Sequence, residues 1–265
     1  MPFYQSGDLR LHYVARNHSP HPRPTLVFQH GIGGDVWQPG RFLAPERMGI
    51  SADALRIVHA DFRAHGESDA GDVEQLSIES LARDLGALLD HLDVRRAIVG
   101  GISMGAAAFL RLAVDRPGSC DALILSRPAW ADEAMSAVAR HALALLADLL
   151  AADDWKSSAL PALEASEVLE AVESICPDAA KSLRGHVQGV LARPDTRAAA
   201  VARLRHLPES RGLNDLRDLA TVRCPTLILA AQDDPIHPFE CARRLALALP
   251  NSRLVEIAPK SPVDG

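Results

Sequence analysis

Aromatic residues are scarce in this 265-residue chain, at 4% of positions, and form no basic patch with interleaved aromatics. Basic residues are also in the minority: 28 Lys and Arg stand against 34 Asp and Glu, for a formal net charge of −6. The densest basic pairs are only Arg95-Arg96 and Arg243-Arg244. With no basic stripe, nucleic acid is not an expected partner, and the mild acidity serves mainly solubility. Cysteine is rare. Cys120, Cys176, Cys224 and Cys241 are far apart and contain no Cys-x-x-Cys spacing, the usage of reduced thiols in a cytoplasmic protein. Two of them, Cys120 and Cys224, border apolar runs and read as buried. The first residues, Met1–Asp8, lack the basic start and apolar core of a signal peptide. The longest apolar stretch, around residues 142–152, is interrupted by Asp148 and is too short to span a bilayer. A cytoplasmic protein without a membrane partner is therefore expected.

Aliphatic residues are plentiful. The chain is 48% hydrophobic and 23% charged, enough for one buried core and an inserted subdomain. Residues 9–15 alternate like a strand, and His18-Ser19-Pro20-His21-Pro22 breaks the pattern. The two histidines of that break have no further ligand types nearby, so they read as part of a solvated loop rather than a metal site. Short apolar runs follow at Thr25–Phe28, Leu55–His59, Ala97–Val99, Ala122–Leu125, Thr226–Ala230 and Leu254–Ile257. Runs of this length suit parallel strands buried on both faces. Between them, Ser77–Leu92, Gly105–Val114 and Pro238–Leu249 have helical spacing. The alternation predicts an α/β fold, a doubly wound, mostly parallel sheet flanked by helices. Residues 129–216 break the rhythm with amphipathic helical segments and prolines at 161, 177, 194 and 208. They read as a helical lid inserted into a core formed by residues 1–128 and 217–265.

The strongest chemical signal is Gly101-Ile102-Ser103-Met104-Gly105, which follows the Ala97–Val99 strand and leads straight into a helix. A serine on such a sharp turn projects its hydroxyl above the sheet, and small flanking residues let strand and helix approach. The helix N-terminus behind it favours developing negative charge. A second signal, Gln29-His30-Gly31-Ile32-Gly33-Gly34, follows the Thr25–Phe28 strand. Its backbone N–H groups are open to an oxyanion: Ile32 paired with Met104 is the expected hole, with Gly33 as the fallback donor. An ordinary glycine-rich turn is the alternative.

With these motifs the chain resembles the α/β-hydrolase superfamily. The match runs through His30-Gly31, Asp61-Phe62-Arg63-Ala64-His65-Gly66-Glu67-Ser68, the Ser103 turn and Asp233-Asp234-Pro235-Ile236-His237-Pro238, over nearly the whole length. The resemblance implies that Asp61–Ser68 is mainly structural, His65 included, although Ala64 stands where glycine is usual. It makes Asp234 the triad acid, against Asp233 beside it; a local carboxylate at the start of the next helix is the other reading. It also implies a histidine after the last strand, and no histidine follows His237. Three readings stay open: a base beyond Gly265, His237 itself as base, or a ligand-binding protein without a conventional triad. Local capping or packing is a further role for His237 alone. Arg127, Trp37 and Trp130 lie where ligands bind in such sheets, so they are candidate substrate contacts. A structural ion pair for Arg127 and core packing for the tryptophans are the alternatives.

The expectation is a cofactor-free and metal-free serine hydrolase acting on a small ester, thioester, lactone or related acyl compound through a Ser103 acyl-enzyme. A serine at the turn argues against the haloalkane dehalogenase and epoxide hydrolase branches, which use aspartate there. Carbon–carbon hydrolases and acyltransferases share the serine geometry and stay open, and so does the oligomeric state.

Overall fold

The computed structural model describes residues 2–16, 23–43, 49–51 and 54–258. The His18–Pro22 break and the segment after Ala258 lie outside these described residues. The strands are β1 (Phe3–Ser6), β2 (Leu9–Arg16), β3 (Thr25–Gln29), β4 (Arg56–Ala60), β5 (Ala97–Ile102), β6 (Cys120–Ser126), β7 (Thr226–Ala230) and β8 (Ser252–Glu256). They form one sheet in the order β1-β2-β4-β3-β5-β6-β7-β8. β1–β2 and β2–β4 pair antiparallel, and every later pair is parallel. This is the expected α/β-hydrolase architecture. The apolar runs became strands because the sheet pairs their backbone groups; all five residues of β3 are buried, whereas β8, at the sheet edge, has none buried, contrary to the expectation for its run. β1 is not apparent in the sequence: four residues of an edge strand carry too little alternation to register.

The helices are α1 (Ile78–His91), α2 (Met104–Asp115), α3 (Ala137–Ala151), α4 (Trp155–Glu164), α5 (Glu167–Ile175), α6 (Pro177–Ala192), α7 (Arg197–His206) and α8 (Phe239–Ala248). α1 starts with a reciprocal capping box between Ser77 and Ser80, which satisfies two free N–H groups. Helices α3 to α7 all lie between β6 and β7 in the chain. α3 packs on α4, α6 and α7, and α5 packs on α6. Their buried residues, among them Leu143, Leu146, Leu183 and Leu204, join the same core cluster as Val99 and Leu123 of the sheet.

The Asp61–Ser68 segment braces the loops at one end of the sheet. Asp61 accepts hydrogen bonds from the Val36 and Glu67 N–H groups at 2.8 and 3.0 Å, and His12 Nδ1 lies 2.7 Å from its Oδ2. Arg63 clamps Asp84 of α1 with two bonds of 2.6 Å, and Ser6 of β1 donates to the same carboxylate at 2.6 Å. His65 has ring nitrogens 2.9 and 3.0 Å from the Arg63 and Ile32 carbonyls. Burial, with Arg203 and His30 adding to it, holds its pKa well below the ordinary histidine range. Ala64 has φ of 59°, the left-handed region that explains why glycine is usual there. Cys120 is buried and Cys224 half-buried, and both are free thiols.

Candidate active site

β5 runs along the middle of the sheet and ends at Ser103, where φ is 53° and ψ −107°. This strained turn is held by Ser103 N–H donating to the Ser126 carbonyl at 2.8 Å and by α2 starting at the next residue. The flanking glycines are required by space. A Cβ on Gly101 would lie 2.5 Å from the Gly105 backbone, and one on Gly105 would lie 2.8 Å from the Gln29 and His30 carbonyls.

Two more non-glycine residues with positive φ follow the neighbouring strands: Arg127 at 49° after β6 and Asp233 at 55° after β7. The turn at Asp233 brings Asp234 and His237 back over β5. His237 Nε2 lies 3.0 Å from Ser103 Oγ, and His237 Nδ1 lies 3.0 Å from Asp234 Oδ2. In the tautomer this network favours, Ser103 donates to Nε2 while Nδ1–H donates to the carboxylate. Asp234 Oδ1 accepts the N–H groups of Ile236 and His237 at 3.0 and 3.1 Å, and Oδ2 also accepts Arg127 Nη1 at 2.9 Å. Burial pushes the Asp234 carboxyl pKa up. The bonds and charge of His237, with Arg127, more than offset this and bring it down to about 2. The carboxylate is therefore charged at neutral pH and can stabilise an imidazolium.

The hydroxyl opens onto a cavity of about 270 Å³ lined by Ile32, Gly33, Gln38, Arg127, His186 and His237, among others. Larger hollows of about 440 and 610 Å³, beside α3 and α8 and between α5 and α6, contain no histidine. Ile32 is buried at the cavity wall. The Gly31–Gly34 turn is closed by Gly34 N–H donating to Gly31 O at 2.9 Å, and Gly31 N–H donates to Gln38 Oε1 at 2.7 Å. Met104 opens α2, and first-turn N–H groups have no partner within the helix.

Arg127 lines the cavity, but its guanidinium is engaged by Asp234. The two tryptophans do not line this cavity. Trp130 is 1% exposed, and its indole N–H donates to the Leu207 carbonyl at 3.2 Å. Trp37 is 50% exposed; Asp35 caps its N–H, and the inward place in that turn belongs to Gln38. Gln38, Arg41 and His186 were missed from the sequence, because none belongs to a local motif. His186 comes from α6, more than eighty residues after Ser103. Its pKa is lowered to about 4 by burial, with Arg203 adding to the effect. Among the described residues no group of three or more His, Cys, Asp or Glu side chains could hold a metal ion, and no helix is long and apolar enough to cross a membrane.

The family model for the alpha/beta hydrolase fold matches residues 24–261. The chain belongs to the α/β-hydrolase family of enzymes. It is 30% identical over 272 residues to RutD of Caulobacter sp. (strain K31), provisionally named a carbamate hydrolase, covering 96% of this chain and 90% of that protein. It is 26% identical over 225 residues to 3-oxoadipate enol-lactonase 1 of Acinetobacter baylyi, covering 82% and 74%. The crystal structure of the enol-lactonase from Burkholderia xenovorans LB400 superposes with a TM-score of 0.70 at 22% identity, covering 97% and 91% of the two chains. At that identity the likeness bears on the fold.

Proposed function

We propose that the protein is a serine hydrolase of a small ester, thioester, lactone or related acyl compound, with Ser103 as nucleophile, His237 as base and Asp234 as acid. One observation carries this reading: the line from Asp234 through His237 to Ser103 Oγ, closed by two contacts of 3.0 Å. His237 takes the Ser103 proton as Oγ attacks the carbonyl carbon. The N–H groups of Ile32 and Met104 hold the oxyanion, and His237 returns the proton to the leaving group. Water, activated by the same imidazole, then releases the acyl group. Acid and base lie three residues apart on one turn, so this arrangement draws no base from after β8.

Residues 129–216, with α3 to α7, act in this reading as the lid that closes the cavity from above. The relatives named for a carbamate and a lactone support an acyl-type substrate. The site needs no metal or organic cofactor for these steps. The test is labelling with a fluorophosphonate read by intact mass. The wild type gains one adduct, and Ser103→Ala and His237→Ala do not. A folded wild type that stays unlabelled, or a labelled Ser103→Ala, sinks the reading.

A further inference from the structure

The charges around the cavity are one-sided. Among the described residues its ionisable lining is Arg41, Arg127, His186 and His237, with no aspartate or glutamate. Asp234 neutralises Arg127 from behind. Among the described residues no carboxylate pairs with the Arg41 side chain.

A second cation, on α7, has no carboxylate partner among the described residues. Arg203 of α7 is 9% exposed, and its Nη1 donates to the Ala64 carbonyl at 2.9 Å. Its Nε is buried without a hydrogen-bond partner, and no carboxylate lies within ion-pair distance among the described residues. A buried guanidinium without a counter-ion is costly, and an anion seated nearby lowers that cost. His186 lines the cavity and feels the charge of Arg203. Its ring packs against Gly33, where a Cβ would come within 2.5 Å of Cε1. Among the described residues none hydrogen-bonds to that ring.

We infer that the substrate carries an anionic group, a carboxylate on its acyl portion, which is held between Arg41 and His186 in the field of Arg203. This deepens the proposed hydrolase reading and rests on it. The reacting carbonyl sits at Ser103, and the carboxylate lies across the cavity toward α6. In a cavity of about 270 Å³ this favours short dicarboxylate monoesters or acidic lactones over long neutral acyl chains.

The experiment compares kcat/KM for p-nitrophenyl butyrate and for the p-nitrophenyl monoester of glutaric acid, whose ester groups are alike. The charged ester is expected to be favoured by about tenfold or more at low ionic strength, with the preference shrinking as salt rises. Arg41→Glu, at an exposed position that tolerates change, should bring the ratio to one or below. A wild-type ratio at or below one, or a ratio unmoved by Arg41→Glu, overturns the inference while leaving ester hydrolysis intact. If neither ester is hydrolysed, the hydrolase reading fails, and binding decides the inference separately. Calorimetry of glutarate with Ser103→Ala should then show binding that Arg41→Glu abolishes. Absence of glutarate binding overturns the anion site.

Discussion

Asp234 accepts bonds from the Ile236 and His237 backbone, the His237 ring and the Arg127 guanidinium. Replacing it with asparagine keeps the shape but removes the charge that stabilises an imidazolium. Asp234→Asn should lower kcat by on the order of 10³ to 10⁴, measured on any ester the wild type turns over. The same residue sets an acid limit to stability. Its folded pKa of about 2 lies below the unfolded carboxyl value near 3.9. Between these values the unfolded chain binds more protons, so stability rises with pH through the window and is fully present above it. Its contribution, on the order of 2 kcal/mol, is lost as pH falls through the folded value. Urea midpoints from pH 2 to 5 should therefore fall more steeply on acidification for wild type than for Asp234→Asn. None of this pairing was legible from composition. The residue types were visible in Asp233-Asp234-Pro235-Ile236-His237, with a helix-start carboxylate as the alternative reading of Asp234. In the structure Oδ1 takes the Ile236 and His237 N–H groups of the loop before α8, while Oδ2 faces the His237 ring.

At the scale of elements, the β5–α2 turn is where sequence and structure agree most closely. Its signals are short-range: an apolar run, glycines two positions either side of Ser103 and a helix start. Gly101→Ala tests it. Its methyl would meet the backbone of Gly105 at 2.5 Å, and backbone yields less readily than a side-chain tip. A loss of about 3 kcal/mol or failure to fold is expected from chemical denaturation. Gly33→Ala meets only the movable His186 ring, at 2.5 Å, so it should leave the denaturation midpoint nearly unchanged. Displacing that ring should instead raise KM several-fold, seen in Michaelis profiles. The helices of residues 129–216 were legible as helices but not as neighbours of particular sheet residues. Amphipathic spacing says which face is buried and not what it faces, so His186 gave no sign of reaching Gly33.

Across the whole molecule, Arg63 and Asp84 tie the antiparallel end of the sheet to α1. Ser6 of β1 and Arg63 of the loop after β4 both bond to one fully buried carboxylate. Removing that carboxylate strands a guanidinium that is 11% exposed. Asp84→Ala should cost about 3 to 5 kcal/mol, read from urea unfolding, while Asp84→Asn should cost less by retaining one acceptor. The doubly wound, mostly parallel sheet was legible in outline, because buried runs alternating with helices leave few topologies. The two antiparallel strands before β3 were only half visible. β2 alternates over eight residues, whereas β1 is four residues long and finds its register by pairing with β2.

The sequence by itself determined the class of fold and the serine turn, because each depends on residues within about a dozen positions of one another. It also placed Asp234 and His237, the proposed acid and base, three residues apart, while leaving open whether His237 was the base. Ser103 and His237 are 134 positions apart, and no periodicity carries information over that span. Only the sheet decides it. β6 lies between β5 and β7, so the two strand ends are separated by two strand spacings, roughly 10 Å. The left-handed turn at Asp233 starts the loop that carries the imidazole back across that gap to the hydroxyl. The charge around the cavity is likewise tertiary, because Arg41, Arg127, His186 and Arg203 come from four separate segments that only packing brings together.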